Sequence, residues 1–396
     1  MKILIVALSG SVHTARWISQ IEEEGWDIYL FPSYDHLWIN TDLTKLTQCI
    51  PFFGLYKWAK KKGLTKQFVL LYKVFEILSK KWNPQYYEKR LAGYIKKIKP
   101  DIIHSMETQG AGYLVDTVKK DFFQNRSFPK WWHANWGSDI FIFGRMPEHK
   151  PRIQSVLTHC DYYSCECNRD IQLAREFGFT KTCFPVYPNS GGLDAAFIET
   201  CRKGLEKTSH RKIIMLKGYQ GWAGRALVGI RALARCKDVL GGYTIVIYTN
   251  TEAEDIKIAS TLLSLEIDVP VVLLPGNSSH KEILHHHGMA RISIGLSIGD
   301  AISTSLLEAM CMGSFPIQSC TACASDWIKE GVSGLIVPPE DPEMVEAAIR
   351  RALADDEMVD NAAQINEHKI REEANFEKLK KITIQSYQTI FNQTTL

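Results

Sequence analysis

The sequence predicts an α/β protein built from two doubly wound, parallel-sheet domains. Short apolar runs alternate with helical stretches of about 10–15 residues, which is the pattern of βαβ units. The alternation stops at "PVYPNSGGLD" (185–194) and then starts again. A chain of 396 residues has room for about two or three domains.

In the first half, "KILIVAL" (2–8) is a strand, followed by a Gly/Ser turn and a helix over 13–24. "DIYLF" (27–31), "DIIHS" (101–105), "KWWHANW" (130–136), "DYYSCE" (161–166) and "CFPVYP" (183–188) continue the strand series. The second half brings "KIIMLKG" (212–218), "YTIVIYT" (243–249), "VPVVLLPG" (269–276), "RISIGLS" (291–297) and "FPIQS" (315–319). "GRALVGIRALARC" (224–236) and "DPEMVEAAIRRALAD" (341–355) are helices, the latter with Asp341 as cap and Pro342 in its first turn. The domains expected are 1–185, a linker 186–211, 212–371, and a helical segment 372–396. Ligands of doubly wound sheets lie outside the carboxyl ends of the strands, so two facing domains place the site in the cleft between them.

Composition narrows the classes. Hydrophobic residues make up 45% and charged residues 23%, which suits sizeable cores. A net charge of +3 is too small to carry nucleic-acid binding, and none is expected. No run of about 18 apolar residues marks a membrane span. "MKILIVALSG" lacks the apolar region and cleavage site of a signal peptide. Ten scattered cysteines then read as reduced thiols in a cytoplasmic protein.

The segment 51–99 departs from the alternation. From Lys57 to Lys99 it has thirteen Lys/Arg and two acids, Glu76 and Glu88. Phe68, Leu71, Tyr72, Phe75 and Leu78 form an apolar stripe at helical spacing, flanked by Lys66, Lys73 and Lys80. Two readings stand: a helix packed on the core with a solvated basic face, or a face for an anionic membrane surface or a lipid-linked acceptor. The second reading puts the protein peripherally on the inner membrane face.

The chemistry concentrates in "DAISTSLLEAMCMG" (300–313). A strand–loop–helix junction there offers backbone N–H groups at Ser303, Thr304 and Ser305 to a diphosphate. Glu308 suits the two hydroxyls of a ribose, and Asp300 can reach a sugar beyond the diphosphate. Ser305-x-x-Glu308 also matches a capping box, under which Glu308 only caps its helix. "LKGYQGWAGRA" (216–226) supplies Lys217 and Arg225, either for a diphosphate or as a solvated loop pair. "HHH" (285–287) reads as a helix-end polar cluster, and "CTAC" (320–323) as a lone structural pair.

"SIGDAISTSLLEAMCMGSFPIQS" resembles the donor-site signature of the GT-B retaining glycosyltransferases of group 1, or family four. "GVSGLIVPPEDPEMV" and "PVYPNSGGLD" are similar to that family's following segment and interdomain junction. The resemblance implies an N-terminal acceptor domain and a C-terminal nucleotide-sugar donor domain. It implies that Glu308 binds the donor ribose. Asp300, one methylene shorter, stands where the family has a Glu against the donor sugar. Gly276 and Asn277 join the donor-binding set. The turn Gly10, Ser11 and His13 resembles the loop that faces the reaction centre. In "HANWGSD" (133–139), Trp136 stands where many relatives carry a His, and Asp139 is kept. Trp136 suits stacking on a sugar face; otherwise it is an interior aromatic.

The expected activity is retaining, metal-independent transfer of a sugar from a UDP- or GDP-sugar donor to a hydroxyl of a glycan or lipid-linked acceptor, as in surface polysaccharide synthesis. No cofactor is expected, and Lys217, Arg225 and Asp300 are the expected catalytic residues. Two alternatives stand beside it: a sugar-nucleotide epimerase on the same fold, and a non-catalytic sugar-nucleotide-binding subunit.

Overall fold

The computed structural model describes residues 1–34, 39–40, 42–43, 46–124 and 126–393. The chain divides into two compact units, Met1–Gly191 with Lys380–Leu396, and Gly192–Leu379.

The first unit is built on seven parallel strands: β1 (Lys2–Ala7), β2 (Asp27–Pro32), β3 (Thr47–Gln48), β4 (Ile102–Met106), β5 (Lys130–Ala134), β6 (Tyr162–Ser164) and β7 (Thr182–Cys183). Their order is β3-β2-β1-β4-β5-β6-β7. In register, Ile3 faces Ile28 on one side and Ile102 on the other. Strands covered by helices on both faces are apolar throughout, and β1 buries every residue after Lys2. The strand order reverses between β1 and β4, where a doubly wound sheet opens a crevice at its carboxyl edge.

The second unit repeats the plan with β8 (Ile213–Lys217), β9 (Thr244–Tyr248), β10 (Val271–Leu273), β11 (Ala290–Gly295), β12 (Phe315–Ser319) and β13 (Leu335–Val337). All pairings are parallel, in the order β10-β9-β8-β11-β12-β13, so its switch point lies between β8 and β11. Asp341 caps the helix Pro342–Ala354 as expected, accepting from the N–H groups of Glu343 and Met344.

The expected strands are present but shorter at proline. Of 183–188 only Cys183 is in a strand, because Pro185 and Pro188 have no N–H for a ladder. Pro270 and Pro275 likewise flank β10. The two- and three-residue strands β3 and β13 are too short to show a period in the sequence.

The last residues enter the first unit's core. The indole Nε1–H of Trp17 donates to the Tyr387 hydroxyl at 3.0 Å, and that hydroxyl lies 2.7 Å from Nδ1 of His104. The His104 ring stacks on Trp132 at 4.2 Å. All four side chains are fully buried. The sequence reading treated 372–396 as a separate helical segment; from Lys380 onward it belongs to the N-terminal unit.

The segment 51–99 forms three helices: Phe53–Lys61, Thr65–Trp82 and Tyr86–Ile98. The third buries Leu91, Ala92 and Ile95 in the core. The expected stripe on the second splits. Phe68, Tyr72 and Phe75 turn onto Tyr56, Phe52 and Tyr86, whereas Leu71 and Leu78 stay exposed. Among the described residues, no helix is long and apolar enough to cross a membrane.

Burial holds His104 well below the usual histidine range and pushes His133 down to about 3. His133 stands 2.9 Å from Ser105 Oγ and 3.2 Å from Thr108 Oγ1. Both histidines are neutral when folded, while the unfolded chain takes up protons below about pH 6.5. Their contribution is therefore present above that pH and lost as pH falls through it. The unfolding free energy of wild type minus that of His133→Gln should shrink by about 2 kcal/mol between pH 7.5 and pH 5. Urea titrations at the two pH values measure it, and a constant difference would refute the assignment.

Candidate functional site

The second unit gathers its polar side chains at the carboxyl ends of β8, β9 and β11. Lys217 is the last residue of β8, and the loop after β11 leads into the helix Thr304–Cys311. Lys217 Nζ donates to Ser303 Oγ at 3.0 Å, and Ser303 Oγ lies 2.8 Å from Ser305 Oγ. The ammonium also sits 4.3 Å from the centre of the Tyr219 ring. Lys217 is buried, yet among the described residues no carboxylate lies within ion-pair distance of it. An ammonium held in this way is costly unless an anion joins it.

Ser303 is the N-cap of that helix, but its side chain makes no cap bond and serves Lys217 instead. First-turn N–H groups at Thr304 and Ser305 have no carbonyl within the helix to bond, and they add positive potential at the same place. With the cap at Ser303, the capping-box alternative fails: Glu308 lies beyond the first turn, and its Oε1 is 2.9 Å from Nε2 of His280. Tyr248, the last residue of β9, bonds Ser305 through its hydroxyl, and burial raises its pKa. Asp300 is half-buried in the loop after β11.

Arg225, the other expected catalytic cation, is engaged outside this group. Arg225 gives Nε and Nη2 to Glu340 at 3.1 and 2.8 Å, and Nη1 to the carbonyls of Gly221 and Gly224. Its guanidinium is thus spent on its own loop and on Glu340. Gly276 and Asn277 are exposed past the end of edge strand β10, two strands from β8. The three histidines diverge as expected for adjacent helical residues. His287 is buried with Nδ1 2.9 Å from Ser293 Oγ, and His286 Nδ1 lies 2.9 Å from the Glu282 carbonyl. Cys320 is exposed and Cys323 buried.

In the first unit the candidates lie past the ends of β1 and β5. Gly10 is half-buried, and Ser11 caps the helix Val12–Ser19 by accepting from the His13 N–H. The His13 ring meets the Trp136 ring at 5.7 Å. The indole N–H of Trp136 is buried and has no acceptor among the described residues. Asp139 turns inward, accepting from the backbone N–H groups of Thr108 and Trp136 and from the Thr108 hydroxyl. Burial, with the charge of Asp170 second, raises its pKa to about 6. Asp139 thus ties two loops together and does not present its carboxylate to a ligand.

Sequence reasoning missed three residues. Tyr248 and His280 are brought to Ser305 and Glu308 only by tertiary contact, although a Tyr closing an apolar strand was a visible signal. Glu107 follows β4 at the switch point with φ 74° and ψ 153°, a region that residues other than glycine rarely adopt. Its carboxylate accepts from the N–H groups of Gly110 and Ala111 at 2.8 and 2.5 Å. A Cβ at Gly110 would come within 2.5 Å of Glu107 Oε1 and 2.6 Å of Tyr34, so glycine is required there.

Comparison with known proteins follows the two units. Residues 239–369 match the family described as glycosyl transferases group 1, and residues 2–164 match the family described as glycosyl transferase 4-like. Among solved structures, the sucrose-phosphate synthase of Thermosynechococcus elongatus aligns over 99% of this chain and 100% of its own, at 15% identity and a TM-score of 0.67. A glycosyltransferase from Rickettsia africae covers 98% of each chain at 15% identity and a TM-score of 0.68. Anabaena HepE, solved in complex with UDP-glucose, covers 98% of this chain and 100% of its own at 14% identity and a TM-score of 0.68. No curated protein matches the chain in sequence.

Glu107 has a measurable signature. Burial, opposed by the bonds from Gly110 and Ala111, raises its pKa to about 7. A folded pKa above the unfolded value contributes stability below about pH 4.5 that is lost as pH rises through 7. Glu107→Gln should gain about 2–4 kcal/mol relative to wild type between pH 4.5 and pH 8. Parallel pH curves of the two proteins in chemical denaturation would reject it.

Proposed function

The chain is a group 1 glycosyltransferase of the GT-B fold, and from that premise we propose that it takes its sugar from a nucleoside-diphosphate donor bound at the carboxyl edge of the second unit. The observation that carries this reading is the buried Lys217 ammonium, which has hydroxyl and ring partners but, among the described residues, no carboxylate at ion-pair distance. A diphosphate supplies the missing anion, between the lysine and the N-terminus of the helix Thr304–Cys311. Glu308 then receives the ribose hydroxyls, with His280 holding its other side. Asp300 meets the donor sugar.

Transfer proceeds with retention and without a metal. The bond from C1 to the diphosphate oxygen breaks as the acceptor oxygen bonds C1 on the same face. The acceptor proton passes to the departing diphosphate oxygen, so no protein base is required. Lys217 and the helix N–H groups stabilise the charge growing on that diphosphate. The donor is a UDP- or GDP-sugar, and the acceptor is a hydroxyl of a glycan or lipid-linked saccharide in surface polysaccharide synthesis. The unsatisfied indole N–H of Trp136 and the neighbouring His13 support a sugar-binding role at the carboxyl edge of the first unit.

Lys217→Met separates this role from a structural one. Removing an uncompensated buried cation should raise the melting temperature of the ligand-free protein while abolishing the thermal shift that UDP or GDP produces. A less stable variant with an unchanged nucleotide shift would refute the diphosphate role. Glu308→Ala should weaken nucleoside-diphosphate binding about 10–100-fold, the worth of a charged hydrogen bond. Calorimetry with UDP and GDP checks this and identifies the base. NMR of the product's anomeric proton, with and without EDTA, tests retention and metal independence together.

A further inference from the structure

We propose that the helices Phe53–Lys61 and Thr65–Trp82 form a face that seats the protein on an anionic lipid bilayer, with the outer side of the second helix entering the headgroup layer. This deepens the lipid-linked acceptor reading, and its test is independent of that reading.

Among the described residues, eleven of the twenty-two large apolar side chains that stand exposed fall between Phe52 and Trp82. They are concentrated rather than scattered, which is what marks an interaction surface. The second helix buries one residue, Tyr72. On its outer side Leu70, Leu71, Val74, Ile77, Leu78 and Trp82 are all exposed, Trp82 to 86% and Leu71 to 69%. At 100° per residue these six span an arc of roughly 140°, interrupted only by Gln67 and Lys81, which lie within the arc but in the first and last turns of the helix. Lys66, Lys73 and Lys80 line one border of the arc. The other border is the aromatic seam with the first helix, Phe52 to Phe75 at 5.4 Å and Tyr56 to Phe68 at 6.1 Å. The inner side is therefore already packed, and the outer arc is not a displaced piece of core.

Charge selects the occupant. The stretch from Lys57 to Lys99 has thirteen Lys/Arg against two acids, and one of those acids, Glu76, is paired with Lys80. A second copy of this face would bring the same excess of cations against itself. An anionic bilayer offers both what the arc needs, an apolar layer for Leu and Trp, and what its border needs, a plane of phosphates for Lys. An 18-residue helix lying in that plane reaches about 27 Å. Trp58 and Trp82 suit the headgroup boundary, where one edge of the indole is wet and the other apolar.

The experiment is cosedimentation of the full chain with large unilamellar vesicles of phosphatidylcholine alone, and of phosphatidylcholine with roughly a third phosphatidylglycerol. Binding should need the anionic lipid and weaken in high salt. Lys66→Glu/Lys73→Glu/Lys80→Glu should cut partitioning about 100-fold or more, since each surface lysine supplies roughly 1 kcal/mol and reversal counts twice. Leu70→Gln/Leu71→Gln/Ile77→Gln should cut it at least as far at every salt concentration. Both variants should keep the wild-type melting temperature and the thermal shift with UDP or GDP. Equal sedimentation with and without anionic lipid, or full binding by either variant, would overturn the proposal. So would a dimer in light scattering that the Gln variant abolishes. In each of those outcomes a retained nucleotide shift leaves the donor reading standing.

Discussion

A buried ammonium with no carboxylate at ion-pair distance among the described residues is the feature on which the polar cluster of the second unit turns. Lys217 ends β8 at the point where the strand order reverses, and the helix Thr304–Cys311 begins beside it. Two sources of positive potential, a side chain and a helix N-terminus, thus converge where the backbone topology already opens a crevice. The serines between them are ordered by the same contact: Ser303 gives up its capping role to hold the lysine, and Ser305 links on to Tyr248. The Ser303 hydroxyl and the Tyr219 ring offset part of the cost of that buried charge, and the buried core of the unit supplies the stability that carries the rest. Such strain at a site is a familiar exchange of stability for ligand binding.

The first unit solves a different problem. Its sheet encloses polar aromatics and histidines, which need partners inside the core. Trp17 and His104 both bond the Tyr387 hydroxyl, Trp132 stacks on His104 and bonds Ser164, and Tyr387 arrives from the far end of the chain. Asp139, Thr108 and Glu107 then fix the loops after β4 and β5 through backbone N–H groups. That bracing holds Trp136 with its indole N–H buried and unmatched. The carboxylates there are structural in their contacts, and burial rather than catalysis explains their raised pKa values.

The basic helices extend the same economy outward. Aromatic residues at one set of positions close the hairpin, and aliphatic residues at another remain unpaired. In sequence both sets belong to one broad apolar arc of a single helix. Only the position of the helix Phe53–Lys61 divides it into an inner and an outer side.

The sequence by itself determined the doubly wound class, most of the strands, the restart of the βαβ pattern and the strand–loop–helix junction at 300–313. These follow from local periodicity and from turn and capping residues, which are written in consecutive positions. Gly10, Ser11, Lys217 and Ser303 were legible for the same reason, as residues at strand-to-helix turns. Tertiary structure alone decided which of them meet. It brought Lys217 to Ser303 across 86 positions and His280 to Glu308 across 28, and it committed Arg225 to Glu340. It also carried the final helix into the N-terminal core. Contacts between side chains far apart in sequence depend on how layers stack, and no local pattern encodes that.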